Sequence, residues 1–202
     1  MIEFDDYEKA YTQSEDIYKL IHSDAQEIVT KIEDLCGSLK DKWVASDAVP
    51  HINKLTEIHK SLAQYLENAT SMIVEVSDYV IKVESAVNRI SGGVVVGENL
   101  QDKFDSNKQE EVEDTKGYKL ENLSDEYNLL DDICQSFLTF KNDYAEKFDD
   151  FFRNWKEDPR KKRIEDIFNE FTGKMDEYQP VLEESRLALG RVINNTDNIM
   201  EG

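Results

Sequence analysis

The amino-acid sequence predicts an all-α protein, in which two long antiparallel helical hairpins in tandem form an elongated four-helix bundle with coiled-coil-like packing. Three observations support this prediction. Apolar residues recur every three or four positions along four stretches, which is the spacing of one helix face. Gly and Pro number only 8 and 3 of 202 residues, so few positions interrupt a helix. The chain is 39% hydrophobic, which is enough for a packed core despite a net charge of −20.

The first hairpin is predicted from two successive stripes. The first helix spans about residues 11–42, and its stripe consists of Ile17, Leu20, Ile21, Ala25, Ile28, Ile32, Leu35, Leu39 and Trp43. After a short break, Pro50 falls in the first turn of a second helix, where its missing N–H costs little. The second stripe runs from Ile52 to Ile90 and ends at Ser91-Gly92-Gly93. Together the two stripes predict an N-terminal helical hairpin over residues 1–92.

Residues 93–117 are predicted to be an acidic linker. The segment is rich in Gly at its start and rich in Asp and Glu afterwards, and it has no sustained apolar period. We expect it to be mobile or weakly ordered. The Val94-Val95-Val96 triplet within it is most simply an irregular loop, although a short strand or a segment tucked under a helix would also fit.

The second hairpin is predicted over residues 118–202. The stripe of its first helix consists of Leu120, Leu123, Tyr127, Leu130, Ile133, Cys134, Phe137, Phe140, Tyr144, Phe148, Phe151 and Trp155. Asp158-Pro159 is a strong signal for the start of the last helix, with Asp as the N-cap and Pro in the first turn. Pro180 lies inside that helix and is predicted to kink it or to split it near Tyr178.

The charge limits the classes of partner. A strongly acidic surface repels phosphate, which argues against nucleic acid and anionic membranes, and favours another helical protein or a basic one. There is no run of about 18 apolar residues for membrane insertion, and the N-terminus lacks the basic and apolar regions of a Sec signal peptide. We therefore expect a cytoplasmic protein.

No catalytic, cofactor-binding or metal-binding residues are expected. His22, His51 and His59 lie in no recognised metal or catalytic motif. Cys36 and Cys134 are far apart in sequence and are most simply buried thiols, with a disulfide or metal role as the alternative. The chain is therefore predicted not to be an enzyme.

Two features mark a possible partner surface. The first is a basic cluster at the start of the last helix, formed by Arg160, Lys161, Lys162 and Arg163. It is either ion-paired with surrounding acids or a contact patch for an acidic partner. The second is the pair Leu138 and Phe152, which flank the third stripe and widen its apolar face.

The segment Leu39-Lys-Asp-Lys-Trp43-Val-Ala-Ser-Asp-Ala48, a Trp in a tight turn between two helices, resembles the WXG100 (ESAT-6-like) family of type VII secretion systems. Ala45 occupies the family's Gly position, and in the second hairpin only Trp155 matches. The resemblance implies that both tryptophans pack where hairpins meet. Family members are usually single hairpins that dimerise into four-helix bundles, so this chain would make that pairing intramolecular. It also implies a non-enzymatic protein that docks helix on helix with a partner.

The family's export signal is a Tyr followed four residues later by Asp or Glu. Tyr127 and Asp131 fit this spacing, as do Tyr11 and Glu15, but both pairs lie near the start of a hairpin instead of after its second helix. Secretion by the Sec-independent type VII route therefore stays an open alternative. Two other functions fit the sequence: an acidic immunity protein or antitoxin that neutralises a basic toxin, and a coiled-coil scaffold.

Overall fold

The computed structural model describes residues 3–91, 99–101, 103–113 and 117–200, and the side chains of 87–91 and 196–200 are not described. In chain order the elements are α1 (Tyr7–Leu20), a π-helical turn (Ile21–Ala25), α2 (Gln26–Lys42), β1 (Trp43–Val44), α3 (Val49–Ser91), β2 (Lys119–Leu120), α4 (Ser124–Asn154) and α5 (Pro159–Met200). Four long helical stretches dominate the described chain, which confirms the predicted all-α bundle class. The Val94–Val96 triplet lies outside the described residues.

Helix α1 begins at Tyr7, four residues before the predicted start near residue 11. The Asp6 side chain accepts a hydrogen bond from the Lys9 N–H at 2.9 Å, so Asp6 is the N-cap. The π-helical turn was not predicted. Leu20, Ile21, Ala25 and Ile28 are all buried across it, so the apolar spacing gives no sign of the wider turn.

Helix α5 continues through Pro180, so of the two predicted outcomes, a kink or a split, the split was wrong. Proline removes one backbone donor from the helix but leaves the bonds of the neighbouring turns. Packing secures the helix on both sides of it. Tyr178 donates a hydrogen bond to the Ser61 hydroxyl, and Leu182 is 1% exposed.

The chain divides into two compact units. Unit 1 comprises Met1–Ala25, Gln64–Asp105 and Phe140–Lys174, and unit 2 comprises Gln26–Ala63, Ser106–Thr139 and Met175–Gly202. Each unit therefore contains segments of both predicted hairpins. Within a unit, four helical segments enclose a core, as expected when each helix buries its apolar stripe against the others.

The two cores differ in composition. The core of unit 1 is aromatic. Its fully buried side chains include Phe140, Tyr144, Phe148 and Phe151 of α4 and Phe171 of α5. Their rings pack in tilted and edge-to-face pairs 4.6–6.4 Å apart between centroids. The core of unit 2 is mainly aliphatic, with Ile28, Ile32, Leu35, Leu39, Ile52, Leu55, Leu130, Ile133 and Leu189 buried.

Candidate functional site

The first tryptophan turn closes the break between α2 and α3. Trp43 is 4% exposed, and β1 pairs antiparallel with β2, so that Trp43 lies opposite Leu120. Its ring stacks on His51, with centroids 5.8 Å apart. Ala45 is buried, and its carbonyl accepts a hydrogen bond from the Ala48 N–H at 3.1 Å, which tightens the turn into α3. Burial lowers the pKa of His51, which favours a neutral ring against the indole.

The second tryptophan turn closes the break between α4 and α5. Trp155 is 2% exposed and forms an antiparallel bridge with Phe4. Its indole Nε1 donates to Asp158 Oδ2 at 2.7 Å. The other oxygen of Asp158 accepts the backbone N–H groups of Arg160 and Lys161, at 2.7 and 3.2 Å. Asp158 is thus the N-cap of α5, as the sequence predicts, and it also fixes the indole.

The two turns are covered in the same way. In the first, the Lys42 carbonyl accepts the Glu121 N–H at 3.0 Å; in the second, the Asn154 carbonyl accepts the Asp5 N–H at 2.9 Å. In each turn the residue that accepts the hydrogen bond immediately precedes the tryptophan. The residue that donates it immediately follows the residue that pairs with the tryptophan. The turn of each half of the sequence is therefore covered by the segment that leads into the first helix of the other half. The cover is a contact within one compact unit in both cases.

The basic cluster does not behave as one patch. Lys161 is buried at 8% exposure, and its Nζ lies 2.9 Å from the Glu157 carboxylate and 3.8 Å from that of Glu165. Ion pairing with nearby acids is therefore the interpretation that holds for Lys161. In the described part of the chain, three other side chains of the cluster are exposed and form no ion pair: Arg160, Lys162 and Arg163.

Phe152 belongs to the interior of unit 1. It is 8% exposed and packs on Phe148 and Phe168, with centroids 5.6 and 5.5 Å apart. The expectation that Phe152 leaves apolar surface open was wrong, because α5 supplies Phe168 to cover it. A shallow groove of about 350 Å³ lies beside it in unit 1, lined by Asp149, Phe152, Arg153, Lys161, Glu165, Phe168 and Asn169.

Leu138, in contrast, is exposed, at 41% of its surface. Leu187, at 52%, and Tyr118, at 80%, are exposed as well, and neither was predicted to be. A signal for Leu187 exists in the sequence, since it falls out of phase between the stripe residues Leu182 and Leu189. Out-of-phase leucines on α4 and α5 are the exposed large aliphatic residues of the described chain.

Tyr127 and Asp131 converge on a residue that the sequence did not single out, Arg186. Its guanidinium donates to the Tyr127 hydroxyl at 3.2 Å and pairs with the Asp131 carboxylate at 3.1 Å. It also pairs with Glu183 at 2.8 Å. Gly190 faces the Tyr127 ring, where an added Cβ would lie 3.2 Å from it. The predicted export pair is therefore engaged by α5 within unit 2.

The cysteine and histidine side chains that could react or bind a metal are separated from one another or buried. Cys36 and Cys134 are free, buried thiols, and burial raises the pKa of Cys36 and raises that of Cys134 to about 12. Among the described residues, no three His, Cys, Asp or Glu side chains converge as a metal would require. His59 is 1% exposed, and burial lowers its pKa.

Comparison of the chain with protein-family models, with curated proteins and with solved structures found no match. Within the described residues, no helix is both long enough and apolar enough to span a membrane.

Proposed function

We propose that the chain is a non-enzymatic interaction protein, similar to the WXG100 helical hairpins, whose two hairpins pair with each other and dock helix on helix onto a partner protein. The observation that supports this most is the matched cover of the two tryptophan turns. In a two-fold dimer of single hairpins, the turn of each copy contacts the same segment of the other copy. Here Trp43 lies opposite Leu120, and Trp155 lies opposite Phe4. Two halves of one chain thus exchange the contact that two copies would exchange.

The proposed docking surface is the exposed apolar part of α4 and α5. Intramolecular pairing buries the stripes, but Leu138 and Leu187 are out of phase with them and stay exposed. An amphipathic helix of the partner would cover such residues. The surrounding charge, −20 over the chain, disfavours an acidic partner, and the apolar contact suits a weakly charged helical one.

We place the protein in the cytoplasm and hold export by a type VII route as a second location. Export through Tyr127 and Asp131 would require these residues to leave Arg186, since its guanidinium contacts both.

The second candidate function is an acidic immunity protein or antitoxin, which the net charge of −20 supports. A coiled-coil scaffold is the third.

Binding to proteins encoded beside its gene tests the proposal. We expect a helical-hairpin neighbour to bind, with an affinity that changes less than threefold between low and high salt, because apolar contacts are screened little. The Leu138→Asp, Leu187→Asp double variant should weaken binding by about tenfold or more. The Thr139→Asp, Asn195→Asp double variant adds the same two charges at exposed positions of α4 and α5; it is the matched control and should leave the affinity nearly unchanged.

Binding of a basic toxin that is lost at high salt, together with no effect of the two leucine substitutions, would instead favour the immunity protein. Calorimetric titration at two salt concentrations separates these outcomes, since counter-charged surfaces lose affinity with salt and apolar ones do not.

A further inference from the structure

A short segment of the predicted linker lies across the hairpin formed by α2 and α3 within unit 2. This segment, residues 107–112, is called the strap here; it contains neither helix nor strand. Four side chains of the hairpin hold it: Glu33 and Lys40 of α2, and Asn53 and Lys60 of α3. Within each pair the residues are seven positions apart, about two helical turns, so they lie on one face of their helix.

Two of these side chains bind the backbone of the strap. The Asn53 amide donates from Nδ2 to the Val112 carbonyl at 3.1 Å and accepts the Val112 N–H at Oδ1 at 2.8 Å. The Lys40 ammonium donates to the Glu110 carbonyl at 2.6 Å. In an extended chain, the N–H and C=O of one residue and those two residues away point to the same side. Asn53 and Lys40 therefore engage residues two positions apart through the backbone, as they would in an extended segment, whatever the side chains are.

The other two bind side chains of the strap and select for their chemistry. Lys60 Nζ lies 3.2 Å from the Glu111 carboxylate, and Glu33 accepts a hydrogen bond from the Asn107 amide at 2.7 Å. Glu113 follows the strap, and three of the four residues 110–113 are acidic. Two lysines facing this stretch make the surface complementary to an extended acidic peptide, with a polar residue accepted at the Glu33 end.

The strap is held by weak contacts. The Lys60–Glu111 pair is exposed on both sides, and such pairs contribute little. Val112 is only half-buried, and Glu110 and Glu111 are exposed. The Glu33 carboxylate also lies 3.9 Å from Nε2 of the buried His59, which is too far for a hydrogen bond. The strap is therefore held by a few polar contacts at the surface of the hairpin.

We propose that this face of α2 and α3 is a peptide-binding site that accepts an extended acidic segment of a partner protein in exchange for the strap. The strap is then the intramolecular competitor of that ligand, and its tether gives it an effective concentration on the order of millimolar. The site is separate from the exposed leucines of α4 and α5, and it does not rest on the proposed function.

The test uses the full chain and a fluorescent peptide with the sequence of residues 105–113. We expect the peptide to bind a chain in which residues 107–112 are replaced by Gly and Ser at least tenfold tighter than it binds the natural chain, because the competitor is gone. Asn53→Ala in the replaced chain should weaken binding by about tenfold. Asn68→Ala, an exposed asparagine further along α3, is the matched control and should change nothing. Circular dichroism verifies that helicity is retained.

A peptide N-methylated at the position of Val112 separates backbone recognition from charge attraction. It keeps every carboxylate but lacks the N–H that Asn53 accepts, so it should bind about tenfold more weakly. Equal binding of the methylated peptide, or no binding to the replaced chain, would overturn the proposal. If the natural chain instead forms dimers by exchanging straps, the ligand of the site would be a second copy of this chain, which would contradict the proposal that it is a segment of a different protein.

Hydrogen exchange on the natural chain gives a measurement that needs no replaced strap. The amide of Val112 should be protected, and Asn53→Ala should raise its exchange rate at least tenfold, whereas Asn68→Ala should not. An unchanged rate in Asn53→Ala would show that the amide contact does not hold the strap.

Discussion

Replacement of Trp155 by Ala tests whether the second turn stabilises the fold. The indole is 2% exposed, and its ring lies 5.1 Å from Phe4 and 5.5 Å from Phe151 between centroids. Truncation of a fully buried Trp to Ala costs about 3–5 kcal/mol through lost burial and the cavity left behind. The half-buried Asp158 keeps its two backbone donors on the other oxygen, so little is added for a stranded carboxylate. We therefore expect a loss of about 4 kcal/mol in the free energy of unfolding.

Urea unfolding followed by circular dichroism measures this loss, because the variant removes a fluorophore. Trp155→Phe should lose only about 1–2 kcal/mol, since a ring remains between Phe4 and Phe151. Tyr118→Ala removes a ring that is 80% exposed and should change stability by less than about 0.5 kcal/mol. A loss below about 1 kcal/mol for Trp155→Ala would refute the reasoning, because it would mean that the buried indole does not hold the turn.

Three further predictions concern charge, protease access and thiol chemistry. Burial opposes the charge of Glu126, but hydrogen bonds from Lys42 and Ser38 outweigh this effect and lower the pKa of Glu126. The resulting stabilisation is present above the pKa of the unfolded chain and is lost as the pH falls below about 4. Glu126→Gln should therefore make the free energy of unfolding less dependent on pH in the acid range. Limited proteolysis should cut within residues 93–117 before it cuts the helices, because the described part of that stretch is irregular and mostly exposed; equal resistance would contradict this. Burial raises the pKa of Cys134 to about 12, so a disulfide reagent should react with it at least a hundredfold faster in urea than in the native chain, and equal rates would place the thiol at the surface.

The apolar period was sufficient to predict the helices and most of the core. It works because the apolar residues of a long amphipathic helix recur on one face, and because caps such as Asp158 act within three residues. The π-helical turn at Ile21–Ala25 left no trace, since apolar residues continue across it. Continuation through Pro180 depends on packing at Tyr178 and Leu182, which local propensity does not contain.

The contacts that define the candidate sites are long-range and could not be predicted from local pattern. Phe4 and Trp155 are 151 positions apart, as their numbers show, and nothing near Phe4 indicates its partner. Arg186 reaches Tyr127 only because α4 and α5 bring them together in unit 2. The burial of Phe152 is another such case, since it depends on Phe168 from the next helix.

Cleavage of the folded chain between its hairpins tests the proposed intramolecular pairing most directly. A site-specific protease sequence inserted at Val95 allows the full chain to fold before it is cut. If the two halves serve as each other's partner, the fragments should stay together at micromolar concentration as one species with the 23.4 kDa mass of the chain plus the insertion, and should separate only in denaturant. Fragments that migrate and sediment as two independent helical species would contradict the pairing, and each hairpin would then need a partner outside this chain.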